Sequence, residues 1–359
     1  MSVKGLRKII YPFAPDQSGA ASVLYELGGM IIIVDAGGCA GNICGFDEPR
    51  WLGTKSAIFS AGLRDMDAIM GRDDLMIDKI AKASKKLDAK FIAIIGTPVP
   101  ATIATDYRAL RRMAKKRTGL PVITMDTSGA GWYDEGLEKA YLELFREFGK
   151  TPDGAETGIV PGSAGVIGVT PLDSGRLDAP ERITELLAEK GTRAVCYGAG
   201  GLEEISKAHR MEKNIVTAPS GLAAARWLRK EYGTPYECFD PLAADAWGAF
   251  TEEDRQAVLS ARKLLIIHQQ IRANTLRDII RSAGTCSGAE IHAATWFMQD
   301  EEIKEEGDFR IREEQDFFDI IQGGGYDVII ADGSFRKAAR DFGGRYTDMP
   351  HFAVSGVID

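Results

Sequence analysis

The chain has 359 residues, of which 45% are apolar and 27% are charged, and its formal net charge is −8. These values are typical of soluble globular proteins with two or three domains, and the lack of a basic patch or of excess Lys and Arg disfavours nucleic-acid binding. No stretch approaches the roughly 18 apolar residues of a membrane span, and the first residues lack the apolar core of a signal peptide, so we expect a cytoplasmic protein.

The first part of the chain alternates helices with short apolar strands. A helix predicted at residues 17–27 precedes the most apolar short run of the sequence, at 30–34. The β-branched side chains of this run, bounded by glycines, indicate a buried strand of a parallel sheet. Further strands are predicted at 55–59, 90–96 and 121–125, with a rigid turn at 97–100 and helices at 73–86, 106–118 and 137–148.

Glycines and two cysteines follow the first strand directly, in a segment (37–45) that we expect to be a loop. Ligands of open α/β folds bind at this edge of the sheet, and glycines such as Gly38 and Gly41 let the backbone come close to a bulky group. Cys39 and Cys44 could therefore bind an iron–sulfur cluster. A turn of small residues with two ordinary cysteines is the alternative, and the spacing alone leaves both open.

The cysteine count bears on how such a cluster could be completed. Cys39 and Cys44 supply two thiolates, whereas a 4Fe–4S cluster needs about four, and a two-fold dimer contact would double the set. Five cysteines, an odd number, argue against a disulfide framework and favour a reducing compartment. We expect Cys196 and Cys238 to pack in the interior, while the role of Cys286 stays open.

Two further units are predicted after a polar linker at 150–154, which gives domains at 1–152, 153–254 and 255–359. The strands are expected at 165–170, 193–197, 214–218, 263–268, 289–297 and 326–331, with helices at 180–190, 202–210, 220–232, 272–283 and 313–322. Strands separated by helices of this length form βαβ units. The predicted fold is therefore α/β, with three Rossmann-like domains whose parallel sheets are flanked by helices and border a common cleft.

Two polar residues are the candidates for catalysis in that cleft. His268 ends the first strand of the third unit and Arg272 follows it, at an edge where ligands bind. A histidine can donate a proton and an arginine can hold an anionic group, although a purely structural His268 is the open alternative. The glycines at 198–201 do not complete a G-x-G-x-x-G motif and no Walker A motif is present, so if the chemistry needs ATP, another protein must hydrolyse it.

The order of these segments resembles component 1 of nitrogenase and its relatives, which include the catalytic subunits of dark-operative protochlorophyllide reductase. The similar segments are Gly38-Cys39 after the first strand and residues 63–71, 94–98, 121–131, 214–216, 232–236 and 326–330. The resemblance implies a 4Fe–4S cluster at the interface of a homodimer or of a heterodimer with a related chain. It also implies an ATP-hydrolysing iron–sulfur reductase as partner and a small-molecule substrate between the domains.

Several positions depart from the pattern of this family. The turn in which the family places a cluster cysteine contains Thr97 instead, and no cysteine precedes Cys39. Ala218 stands where nitrogenase has the cysteine that holds its catalytic cofactor, so the chain is not expected to fix nitrogen. Cys44 is the expected substitute ligand. The resulting prediction is an oxidoreductase component that passes electrons to another substrate; the alternatives are a cofactor scaffold, a small-molecule-binding protein, or a sugar- or tetrapyrrole-binding enzyme without a cluster.

Overall fold

The computed structural model describes residues 7–53, 56–151, 156–286 and 288–358. Three parallel sheets are flanked by helices, and the sheets follow one another along the chain, as predicted. Lys55 of the second predicted strand and residues 152–154 of the predicted linker lie outside the described residues. The boundaries between the three predicted domains stay a prediction.

The first sheet contains the strand that precedes the cysteines. Its elements are α1 (Asp16–Leu24), β1 (Met30–Ile33), α2 (Gly38–Asn42), a π-helix (Ile43–Asp47), a 3-10 helix (Pro49–Leu52), β2 (Ala57–Ser60), α3 (Asp65–Met70), α4 (Asp73–Ser84), β3 (Ile92–Ile95), α5 (Pro98–Thr102), α6 (Tyr107–Thr118), β4 (Val122–Met125) and α7 (Tyr133–Phe148). The strand order is β2-β1-β3-β4. Because β1 and β3 are central, every residue of both strands is buried, as their apolar runs predict.

The second sheet is built from short strands with helices between them. Its elements are β5 (Val160–Ile167), α8 (Pro171–Ser174), α9 (Ala179–Glu189), β6 (Arg193–Cys196), α10 (Leu202–Ser206), two 3-10 helices (Ala208–Arg210 and Pro219–Gly221), β7 (Met211–Val216), α11 (Leu222–Tyr232) and β8 (Tyr236–Cys238). The strand order is β6-β5-β7-β8. Cys196 is buried in the core cluster on this sheet, which confirms the packing predicted for it.

The third sheet is the largest. Its elements, with two helices that precede it, are α12 (Ala243–Ala249), α13 (Glu252–Ser260), β9 (Lys263–Ile267), α14 (Gln270–Gly284), β10 (Glu290–Thr295), a 3-10 helix (Glu301–Ile303), β11 (Phe309–Arg310), α15 (Glu314–Gly323), β12 (Val328–Ala331), a 3-10 helix (Gly333–Lys337), β13 (Arg345–Asp348) and α16 (Phe352–Ser355). The strand order is β11-β10-β9-β12-β13. Side chains of α12 and α13 belong to the core on this sheet.

Two segments that the sequence predicts as loop and turn are helical. Residues 37–45 form α2 and the start of the π-helix, so the loop prediction was wrong. Gly37 has a φ of 124°, a conformation that favours glycine, and it lets the chain turn from the end of β1 into α2. The predicted turn at 97–100 begins α5, with Pro98 in the first turn, where its missing N–H costs nothing.

No helix within the described residues is both long and apolar enough to cross a membrane.

Helix α1 is buried along its whole length and packs tightly against α7. The two helices touch at glycines: a Cβ atom on Gly19 would overlap the carbonyl oxygen of Tyr133, and one on Gly136 would overlap the carbonyl oxygen of Asp16. No side chain fits at either position. This contact holds α1, which leads into β1, against the first sheet.

We expect Gly136→Ala to lower the free energy of unfolding by about 1–3 kcal/mol, because overpacking forces the two helix backbones apart. Gly248→Ala in α12 is the matched control, since a Cβ there meets no atom and alanine is the better helix former. Urea denaturation of both variants measures the difference. Equal stability of the two variants would contradict the tight contact between α1 and α7.

Candidate functional site

The cysteine segment begins beside a buried carboxylate. Asp35 lies two residues beyond the end of β1 and accepts hydrogen bonds from the Ala40 backbone N–H (2.8 Å) and from the Ser60 hydroxyl (2.5 Å). One oxygen thus satisfies an N–H in the first turn of α2, and the other holds the end of β2. The position of α2 relative to the sheet is fixed by this single side chain.

The far end of the segment is fastened to α1 by two acids. Asp47 accepts from the hydroxyl of Ser18 (2.6 Å) and from the side-chain amide of Asn42 (2.9 Å). Glu48 is buried and accepts from Nε and Nη2 of Arg50 at 2.7 Å each, while Arg50 also donates to the Ser22 carbonyl oxygen. Both ends of the helical segment are therefore rigidly positioned.

Cys39 is half-buried and packs against the largest core cluster. Burial and the negative charge of Asp35 raise the pKa of its thiol, and a hydrogen bond with Thr97 opposes that rise. Thr97 is itself buried and donates its hydroxyl to the Val34 carbonyl oxygen (2.8 Å). Cys39 thus contacts the residue that stands in the turn where the resemblance places another cluster cysteine.

Cys44 has different neighbours. It is half-buried, and burial and the charge of Glu48 raise the pKa of its thiol. It borders a groove of about 870 Å³ that is lined by three stretches, 11–15, 42–49 and 352–356, with additional residues. Cys39 is not among the residues that line this groove. The structure brings the two cysteines onto one helical segment but does not direct them into a common cavity.

The surroundings of the segment leave room for a bulky group. A Cβ atom added at Gly37, Gly38, Gly41 or Gly45 would meet no atom within 4 Å. Within the described part of the chain, no group of three or more His, Cys, Asp or Glu could hold a metal ion. Two half-exposed thiols next to open space are chemically suited to a 4Fe–4S cluster, but they do not line one cavity, so their role as ligands stays a prediction. Because the pKa values of both thiols are raised, a metal ion bound there would release protons.

Large apolar side chains are exposed close to this segment. Leu52 is 88% exposed and Phe46 is 76% exposed, and both border the groove beside Cys44. Helix α3, which follows β2, also exposes Met66, Ile69 and Met70. Exposed apolar side chains grouped in this way are typical of a protein–protein contact.

His268 lies in the interior rather than at an open cleft. It is 2% exposed, and its ring stacks on that of His351 with the ring centroids 4.1 Å apart. Its Nδ1 accepts from the Gln269 backbone N–H (2.8 Å), so Nε2 carries the proton and donates to the Pro350 carbonyl oxygen (3.3 Å). Burial, His351 and Arg272 hold its pKa well below the usual range. Its catalytic role stays a prediction.

Arg272 lies at the same junction and is paired. Its Nε donates to Asp240 Oδ2 (2.6 Å), and one terminal nitrogen donates to the Asp173 carbonyl oxygen (3.3 Å). The adjoining cavity measures about 10 Å³, room for one water molecule. Ala218 is also buried at this junction, with 1% exposure. Gly168 packs directly against it and leaves no free space beside it. The junction is closed around the two candidate catalytic residues.

Sequence reasoning missed a buried polar group at this junction. The Tyr133 hydroxyl lies 2.6 Å from Asp173 Oδ1 and 2.8 Å from His351 Nε2. Tyr133, Asp173 and His351 lie next to apolar segments that belong to three different sheets. No pattern within one stretch of the sequence therefore connects them. The available signal was Asp173 alone, a carboxylate a few residues beyond the predicted strand at 165–170, at the edge where ligands bind.

A family model described as "Nitrogenase component 1 type Oxidoreductase" matches residues 17–273. The nitrogenase iron-molybdenum cofactor biosynthesis protein NifE of Bradyrhizobium diazoefficiens is 28% identical over 182 residues, which are 50% of this chain and 32% of that protein. NifE of Klebsiella pneumoniae is 28% identical over 200 residues, 50% of this chain and 41% of that protein. The matches thus span less than half of these curated relatives.

Solved structures share the fold across almost the whole chain. "Nitrogenase Cp1 at pH 6.5" superposes with a TM-score of 0.69 and 13% identity, over 97% of this chain and 87% of that chain. "Nitrogenase Cp1 at pH 5" gives a TM-score of 0.68 and 15% identity, over 99% and 86% of the two chains. At this identity the similarity concerns the fold alone.

We expect serine at position 39 or 44 to abolish iron binding, because Cys39 and Cys44 are the two cysteines on the open segment. Cys196→Ser and Cys238→Ser are matched controls that should retain iron, since Cys196 is buried and Cys238 ends β8. Iron and sulfide analysis after anaerobic purification distinguishes them. An unchanged iron content in Cys44→Ser would show that Cys44 is not a ligand. Cys286, whose thiol donates to the Ala261 carbonyl oxygen, would then be the next candidate ligand.

Proposed function

Because this chain belongs to the nitrogenase component 1 type oxidoreductase family, we propose that two chains together hold one 4Fe–4S cluster through Cys39 and Cys44. The observation that carries the proposal is the pair of half-exposed thiols on a rigid segment bordered by open space. One chain offers about half of the ligands, and an isologous contact with a second copy, or with a related chain, supplies the other half.

Electron transfer is the activity that we propose for this site. A bound cluster would supply one-electron chemistry, whose potential depends on burial and on hydrogen bonds to sulfur. Glycines such as Gly38 and Gly41 would let the backbone of this chain come close to the sulfur atoms. Since no Walker A motif is present, we propose that the electrons come from a separate ATP-hydrolysing iron–sulfur protein.

We propose that the substrate of such a reductase is a small molecule that binds between the sheets, near His268 and Arg272. Both residues are internally paired, and the cavity beside Arg272 has room for one water molecule. Binding of any larger group therefore requires the junction to open. In that state Arg272 could exchange Asp240 for an anionic group of the substrate.

A cofactor scaffold is the second candidate function. The curated relatives are named as proteins of iron-molybdenum cofactor biosynthesis. The size of the two cavities also favours this candidate, because the open groove beside Cys44 measures about 870 Å³ whereas the closed junction measures about 10 Å³. A cofactor held in the groove beside Cys44 would be accessible to the protein that receives it. A scaffold would not need a substrate that accepts electrons at the closed junction.

Transfer of radiolabelled iron to an apo ferredoxin separates the two candidates. A reductase keeps its cluster through cycles of reduction and oxidation, so the label should stay with this chain. A scaffold should lose the label to the acceptor. The control is free labelled iron in the same buffer, which measures loading of the acceptor without this protein.

A charge on the exposed apolar surface should prevent assembly. We expect Leu52→Glu to give a monomer that has lost its iron, because the carboxylate would have to be desolvated in the contact. Ile159→Glu is the matched control, since Ile159 is also exposed but lies just before the second sheet. For the anaerobic proteins, light scattering measures whether the chain is a monomer or a dimer, and iron analysis measures the cluster content. A Leu52→Glu monomer with a full cluster would contradict the shared site.

For His268 we expect the Asn variant to fold, because an asparagine oxygen can still accept from the Gln269 N–H, and to lower turnover or ligand binding. His268→Ala should be less stable by roughly 1–3 kcal/mol, since it leaves that buried N–H unpaired. Thermal unfolding and kinetics are measured on both. Normal kinetics in His268→Asn with a native melting curve would assign His268 to a structural role.

A further inference from the structure

Three buried side chains from three parts of the fold form one hydrogen-bonded chain. Tyr133 begins α7, Asp173 lies in α8, and His351 precedes α16. The Tyr133 hydroxyl lies between the other two, 2.6 Å from Asp173 Oδ1 and 2.8 Å from His351 Nε2. All three are at least nine-tenths buried. A connected chain of this kind can pass a proton from one end to the other.

The carboxylate end of this chain borders the small junction cavity. Asp173 Oδ2 and the Thr170 hydroxyl are buried, line the cavity, and have no hydrogen-bond partner among the described residues. Leaving two such oxygens unpaired is costly, and the cavity volume of about 10 Å³ suits one water molecule. A water bound to Asp173 and Thr170 satisfies both oxygens.

The charges around Asp173 determine where the proton resides. Burial raises the pKa of Asp173 to about 7, against the lowering effect of the Tyr133 hydrogen bond and of Arg272. Burial and Arg272 lower the pKa of His351 to about 3. Between these values the carboxyl is protonated and the imidazole is neutral. The groups that face Asp173 are Tyr133, Asp134, Tyr141, Asp240, Arg272 and His351.

We propose that Asp173, Tyr133 and His351 form a proton relay that ends at a water molecule held by Asp173 and Thr170 in the junction cavity. When the junction opens to a bound molecule, the cavity water gives one proton to a basic group of that molecule and takes the Oδ2 proton of Asp173, and Oδ1 receives the Tyr133 proton. Tyr133 receives the Nε2 proton of His351, whose Nδ1 takes one from water. One proton moves in total, and no electron is required. The use of the relay in a reduction rests on the proposed function, whereas the existence of the relay does not depend on that function.

The first test is the pH dependence of the unfolding equilibrium. Because the folded-state pKa of Asp173 is raised, its stabilising contribution is present below the unfolded value and is lost as the pH rises towards 7. The ratio of the unfolding constants of wild type and Asp173→Asn should therefore rise up to tenfold per pH unit from about pH 4 to 7.

His351→Gln should give the opposite pH dependence of the unfolding equilibrium. The folded-state pKa of His351 is depressed, so the wild type loses stability as the pH falls below the unfolded value of about 6.5. The ratio of the unfolding constants of wild type and His351→Gln should rise as the pH falls. Ratios that do not change with pH in both variants would overturn the assignment of the proton to Asp173.

Infrared spectroscopy tests the connection itself. At pH 6 the wild type should have a carbonyl band of a buried protonated carboxyl that Asp173→Asn lacks and that Asp134→Asn retains; burial also raises the pKa of Asp134, to about 6, so the second variant removes the other candidate for the band. Tyr133→Phe and Thr170→Val, which remove one hydroxyl each without changing a charge, should both shift that band. A band that neither variant shifts would overturn the relay even if Asp173→Asn does not fold. The measurement needs no cluster, so failure to bind iron leaves this result unaffected.

Discussion

Asp35 is the contact on which the candidate site depends. Its carboxylate, at the end of the buried first strand, holds both the first turn of α2 and the end of β2. Without it the chain would leave the sheet with an unsatisfied helix start, and Cys39 would keep only its core packing and its contact with Thr97. Since α1 is pressed against α7 at two glycines, the strand itself cannot shift. The cysteines are therefore placed by the rigid part of the first sheet.

Two sites with opposite properties follow from this arrangement. The cysteine segment is open, borders exposed apolar side chains such as Leu52, and carries the two cysteines that we propose as half of a ligand set. The junction of the three sheets is closed, and its polar groups are paired with one another, as Arg272 is with Asp240. An open site needs a partner chain to be complete, whereas a closed site needs a conformational change to be used. A reductase would use both sites in one reaction, whereas a scaffold would need only the cysteine segment.

The sequence predicts the three parallel sheets well, because buried parallel strands are short runs of β-branched residues that can be recognised locally. It does not predict the helical form of residues 38–47, since Gly-Cys-Ala-Gly-Asn has no apolar period and its start depends on Asp35, which is itself held by the distant Ser60. The burial of His268 was also unpredictable, because it comes from stacking on His351, far away in the chain. Local patterns specify strands, whereas polar sites depend on contacts between units.

Native mass spectrometry of the anaerobically purified protein tests the central claim most directly, because it measures chain number and cluster content in the same particle. The account predicts an assembly of two chains that carries one 4Fe–4S cluster. A single chain that carries the whole cluster would contradict the shared site. A dimer that contains no iron after anaerobic reconstitution would contradict the assignment of Cys39 and Cys44 as ligands.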